Sequence, residues 1–254
     1  MGIPLLDISF ILAALIEILI PIILAIIIWK KFKVSWSVFF LGMLFFIVSL
    51  IRIPLNNLFT QFITSSTTIP NTIIYTFAFS SLTAALFEEG FRVLGIGAII
   101  KTKSYYKGLM YGAGHGGGGE AMIFIGLTTL ANYIIFRFFP GILPSFSIEQ
   151  FTNMEWYMPL VGALERIFAI TIQVALSVLV MHAFLSRKYI FIFIAIIYHL
   201  VVDFVILYLN YIYGFIIAEA AGLGFALISL LLIFLLKPKY RPMHKKITPS
   251  DHQP

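Results

Sequence analysis

Seven predominantly apolar runs, at 9–29, 35–53, 71–100, 106–136, 157–185, 189–210 and 212–236, leave this chain little choice of fold. Each is long enough to cross a hydrocarbon core of about 30 Å as a helix. In lipid every backbone N–H and C=O must find its partner within the protein, and an α-helix does so within one segment. The runs therefore predict an all-α, polytopic integral membrane protein with about seven transmembrane helices. Residues 1–242 read as one membrane-embedded domain, and 243–254 as a disordered cytoplasmic tail. A soluble domain of 254 residues, 61% apolar and 11% charged, could not hide this much apolar surface.

The basic residues set the orientation. Lys30, Lys31 and Lys33; Lys101, Lys103 and Lys107; Arg187 and Lys188; and Lys237, Lys239, Arg241, Lys245 and Lys246 hold 13 of the 17 Lys and Arg residues. They fall in alternate connections, whereas 54–70, 137–156 and the 210–213 turn carry Arg137 and no lysine. The positive-inside rule then predicts an outside amino terminus and a cytoplasmic carboxyl terminus, in a bacterial plasma membrane. A net charge of +6 split into such clusters is membrane anchoring, which excludes nucleic acid as a partner and leaves lipid. Glu17 and the absence of a preceding basic region argue against a cleaved signal peptide in the first run. Leu6 replaces the Ser or Thr that myristoylation at Gly2 requires. With no cysteine, there is neither a disulfide nor a thiol nucleophile. The 137–156 loop, with Pro140, Pro144, Trp156 and several phenylalanines, is expected to lie along the membrane surface.

Seven ionisable residues interrupt the runs: Glu88, Glu89, Arg92, His115, Glu120, His199 and Asp203. One charge at the centre of a membrane helix costs roughly 2.5–3.5 kcal/mol, so the five formally charged ones facing lipid alone would forfeit on the order of 10–15 kcal/mol. They must meet one another or water. Counted from the nearest basic cluster at 1.5 Å per residue, Glu88 and Glu89 lie about 18–20 Å deep, His115 and Glu120 about 12 and 20 Å, His199 and Asp203 about 17 and 23 Å. Three helices thus place their polar groups in one layer. Glu88 and Arg92, and likewise His199 and Asp203, are i, i+4 pairs on one helix face. His115 and Glu120, five apart, would diverge on a regular helix, and Gly116–Gly119 between them invites local unwinding that turns both inward.

Blander readings exist for each feature. Glu88 and Arg92 could form a structural ion pair, and Gly112 with Gly116 is a small-xxx-small pair suited to close helix packing. Arg52, Arg166, Glu165 and Glu219 map near the outer boundary, where mutual pairing or snorkelling explains them. His182, at the inner interface, reads as structural. Glu17 and Gln173 map close to the polar layer and are candidates for a supporting role.

Adjacent carboxylates, histidines and trapped water are the equipment for hydrolysing an amide: a carboxylate activates water, and a histidine steadies the oxyanion or protonates the leaving nitrogen. The same residues suit a divalent metal such as zinc, held by His115 and His199 with Glu88 or Asp203, or no metal at all. No His-Glu-x-x-His helix or Gly-x-Ser-x-Gly elbow is present. Glu88-Glu89-Gly90-Phe91-Arg92 resembles a Glu-Glu-x-x-x-Arg motif with one spacer fewer. Tyr111-x-x-x-His115 resembles an aromatic-x-x-x-His motif, and His199-x-x-x-Asp203 a His-x-x-x-Asn/Asp motif. In this order they resemble the superfamily of CAAX prenyl proteases and bacteriocin-processing enzymes. His115-Gly-Gly-Gly-Gly-Glu120 and Glu165-Arg166 resemble its YhfC-type branch, whose members usually carry one glycine fewer. The resemblance, over roughly 40–215, implies an intramembrane endopeptidase acting on a membrane-associated protein or peptide, with Glu88 or Glu89 activating water and His115 and His199 assisting. The branch is commonly labelled metalloprotease, while the wider glutamate mechanism needs no metal. The alternatives are a proton- or ion-coupled transporter, disfavoured by a single broken segment instead of two symmetric ones, and a non-catalytic immunity or scaffold protein.

Overall fold

The computed structural model describes residues 4–66 and 68–238, which are helical throughout apart from short connections. The tail expected at 243–254 lies outside the described residues. Helix α1 (Leu5–Phe32) shows how the sequence sorts its faces. Leu15, Leu19, Ile23 and Ile27, spaced by four, are about half exposed and form a lipid-facing stripe, while Ala13, Glu17, Pro21, Ala25 and Ile28 are buried. Helix α2 (Trp36–Ser49) is capped by Ser35, whose side chain accepts the Ser37 N–H.

The 54–70 segment, expected as a connection, is instead largely helix α3 (Arg52–Thr64), which follows α2 after a break at Leu50–Ile51. Pro54 sits in its first turn, where a missing N–H costs nothing. Helix α3 buries none of its residues and lies on α4 (Ile69–Leu94), with Phe59 stacked on Phe79 at 3.9 Å and Thr83 Oγ1 donating to Asn56 Oδ1.

Helix α5 (Tyr105–Gly112), a more widely wound segment Ala113–Leu127 and α6 (Thr128–Phe138) form one continuous rod. The outer connection carries a short helix α7 (Ser145–Thr152). Helices α8 (Met158–Ser186), α9 (Ile190–Tyr213) and α10 (Phe215–Leu235) complete the bundle. Among the spans α8 is central: 67% of its apolar window is buried, against 17–33% in the others.

Among the described residues six helical stretches are long and apolar enough to cross a membrane, and α4 is not among them. The count expected from sequence was seven. The difference is the helix that carries Glu88, Glu89 and Arg92, whose composition reflects contact with protein on several sides.

The described members of the four basic clusters share one end of the bundle. Phe32 stacks on Tyr106, the Lys103 ammonium lies over the Phe184 ring, and Tyr105 Oη donates to the Ile233 carbonyl. At the opposite end Asp7 holds Tyr133 and Arg137.

Candidate active site

The sequence places His115 and Glu120 on opposite faces of an ideal α-helix, and the structure brings them to one. The expected unwinding does not occur. Residues Ala113–Leu127 stay helical but wind with i→i+5 bonds, which brings residues five apart close to alignment. Backbone satisfaction is kept at a depth where a broken helix would be costly. The glycines also allow contact: a Cβ on Gly114 would lie 1.9 Å from the Phe39 carbonyl oxygen, and one on Gly116 2.3 Å from Gln173 Cβ. Close packing and the site geometry are therefore one feature. Gly116→Ala should destabilise the protein by about 1–3 kcal/mol through overpacking, while Gly224→Ala on α10, with open space around it, should be neutral. Thermal unfolding in detergent reads both.

Glu88 is the junction. Its Oε2 faces His115 Nε2 at 3.4 Å and His199 Nε2 at 3.9 Å, and accepts from Gln173 Nε2 at 3.0 Å. Its Oε1 accepts from Arg52 Nη2 at 3.0 Å. The i, i+4 partnership expected between Glu88 and Arg92 is replaced by an i, i+3 pair: Arg92 donates to Glu89 Oε1, and its other terminal nitrogen to Gln173 Oε1. Glu89 Oε1 is also 2.8 Å from His199 Nδ1, which fixes that imidazole with Nε2 turned toward Glu88 and, at 3.6 Å, Asp203 Oδ2. Glu88, Glu89, Arg92, His115 and His199 are all buried, and Asp203 is one-third exposed. His115 is held edge-on by Phe46 and stacked on Tyr111.

Gln173 joins the halves. Besides Glu88 and Arg92 it reaches Glu120 Oε2 at 3.1 Å, and Glu120 Oε1 accepts from Arg166 Nη1 at 3.1 Å. Arg166 also binds Glu165. Two arginines assigned to the boundary from sequence, Arg52 and Arg166, thus reach into the polar layer. For Arg166 a signal existed, since it lies seven residues before Gln173 on one helix face. For Arg52 none did, because its placement depends on the break between α2 and α3. His182 packs edge-on against Phe191, away from this centre.

A cavity of about 280 Å³ opens beside the layer, its polar wall formed by Arg52, Gln173, Glu120, His199 and Asp203. Of the metal set expected from sequence, His115 Nε2 and His199 Nε2 lie 3.4 and 3.9 Å from one oxygen of Glu88, while among the described residues no group of three or more His, Asp or Glu side chains is arranged to hold an ion. Glu88 is already engaged by Arg52 and Gln173, and a dication there would face the Arg52 guanidinium.

The fold and this centre define a multi-pass helical membrane protein enclosing a buried glutamate–histidine–arginine network. The chain belongs to the YhfC intramembrane metalloprotease family, whose model matches residues 16–222, a stretch that includes every residue of the network. Over 207 residues it is 30% identical to the "Uncharacterized membrane protein YhfC" of Bacillus subtilis (strain 168), which covers 74% of this chain and 79% of that protein. No solved structure matches.

Proposed function

We propose that this protein is an intramembrane endopeptidase of the plasma membrane, hydrolysing a peptide bond of a membrane-associated substrate with Glu88 as the base. The observation that carries this reading is the convergence of His115 Nε2, His199 Nε2 and Gln173 Nε2 on one oxygen of Glu88. The order of the Glu-Glu, aromatic-His and His-Asp motifs, as in CAAX-type proteases, supports it. The shared end of the basic clusters supports a cytoplasmic placement for that end.

A substrate carbonyl in the cavity would lie beside His199 and Asp203, with water between it and Glu88. Glu88 takes a proton from the water as its oxygen bonds to the carbonyl carbon. An N–H of His115 or His199 steadies the oxyanion. The C–N bond then breaks, and the proton on Glu88 passes to the leaving nitrogen. Glu89, fixed by Arg92, keeps His199 oriented so that Nε2 can pass protons between Glu88 and Asp203, which opens to the cavity. The chain's own side chains carry each proton, and among the described residues the donors are not arranged as a ligand set.

Reconstituted protein should generate new peptide termini from membrane substrates, and His199→Ala protein should not. Proton flux without new termini would overturn the reading in favour of a transporter. Purified protein should carry substoichiometric zinc and keep its activity in chelator. One zinc per chain with loss of activity on its removal would replace the metal-free mechanism.

A further inference from the structure

Helix α3 reaches the proposed base from outside the packed bundle. The chain turns away from α2 at Leu50–Ile51 because Pro54 has no N–H for the Leu50 carbonyl, which accepts the Ile53 N–H at 2.9 Å instead. Before this kink the fit is close: α2 lies against Ala113–Leu127, with Gly114 on the Phe39 backbone and Gly119 on the Phe46 side chain. Beyond it α3 packs against α4 and buries none of its residues. Ile51, Leu55, Leu58 and Phe62 form its outer stripe, each 41–67% exposed.

Lipid tails are as apolar as leucine, so moving such a helix from α4 into lipid forfeits little by burial. What holds it must be directional. Thr83 Oγ1 donates to Asn56 Oδ1, Phe59 stacks on Phe79, and Arg52 Nη2 donates to Glu88 Oε1 at 3.0 Å. The last contact differs from the others, because its acceptor is the proposed base. It is also the least secured of the buried guanidinium contacts. Arg92 and Arg166 each bind two side chains, whereas Arg52 binds one, and its buried Nε has no acceptor among the described residues.

Arg52 lines the cavity, while Glu88, only 3% exposed, is set behind that wall. Oε2 of Glu88 is turned to Gln173 and the two histidines, and Oε1 is taken by Arg52. Water and a peptide bond therefore reach the base only after part of the wall moves. Of the side chains around Glu88, Arg52 is the one carried by a helix that buries nothing and follows a kink.

We propose that α3 is a hinged cover: at rest its Arg52 holds Glu88 and closes the cavity wall, and the membrane segment of a substrate gains the base by displacing α3 from α4. This rests on the peptidase reading above and adds how that site is opened.

The chain has no cysteine, so labels can be placed without background. Nitroxides at Leu58→Cys on α3 and Leu164→Cys on α8, both exposed positions, report where α3 lies by double electron–electron resonance in lipid nanodiscs. One distance is expected at rest. Adding Arg52→Gln should produce a second population, displaced by up to about 10 Å, the width of a helix. An unchanged single distance would overturn the proposal. A second measurement serves if that variant does not assemble. Asn56→Cys with Thr83→Cys, joined by oxidation, should cut the release of new amino termini from a membrane extract by about tenfold or more, and reduction should restore it. Turnover unaffected by the bridge would equally overturn the proposal, since α3 then need not move. Wild-type protein that releases no new termini would count against the peptidase reading instead, and the label distances would still decide whether α3 opens.

Discussion

Glu88→Gln protein should insert and fold, yet hydrolyse substrate about 10²–10⁴-fold more slowly, the range for removal of a general base. The amide keeps the side chain's shape but only one of the two acceptors that Arg52 and Gln173 use, so the fold should survive with a loss of about 1–3 kcal/mol while proton uptake is lost. Glu89→Gln is the informative partner. Glu89 is fully buried with its Oε1 against His199 Nδ1, so on the proposed mechanism its loss should slow turnover by about 10–100-fold, as for a group that orients a working histidine. A Glu88→Gln protein with full turnover, measured by quantifying new amino termini, would remove the proposed base. Equal and complete losses in both variants would show that the two glutamates act as one unit.

Arg92→Leu should be the most damaging substitution for stability. Arg92 and Glu89 are both 0% exposed, and removing one partner of a buried ion pair costs about 3–5 kcal/mol because the other charge is left stranded. Arg92 also anchors Gln173, so a hydrogen bond between α4 and α8 is lost with it, leaving that of Gln173 to Glu88. Glu89→Leu combined with Arg92→Leu should recover part of the loss, since an apolar pair strands no charge. Unfolding midpoints in detergent for the two single variants and the double variant measure this coupling. Additive losses would mean that the pair contributes nothing as a pair.

Much of the membrane architecture was legible in the chain because lipid enforces it. Helix ends fell close to the apolar runs, as at Met158–Ser186 against 157–185 and Tyr105–Phe138 against 106–136. The rise of a helix is fixed, so counting residues from the basic clusters placed Glu88, His115 and His199 at one depth, and there they meet. Helix α3 was missed because its residues are polar enough to read as a loop, and it is held by Phe79 and Thr83 of α4.

Depth and helix membership could be read from the chain alone, because both follow from the 1.5 Å rise and from the cost of placing charge in hydrocarbon. Pairing was set by packing. Arg92 chose Glu89 over Glu88, Gln173 became the link among three side chains, and Arg52 and Arg166 turned inward from the boundary. Those choices depend on helix rotation, on the wider winding at Ala113–Leu127 and on the break before α3, and small angular changes there move a guanidinium by several ångströms.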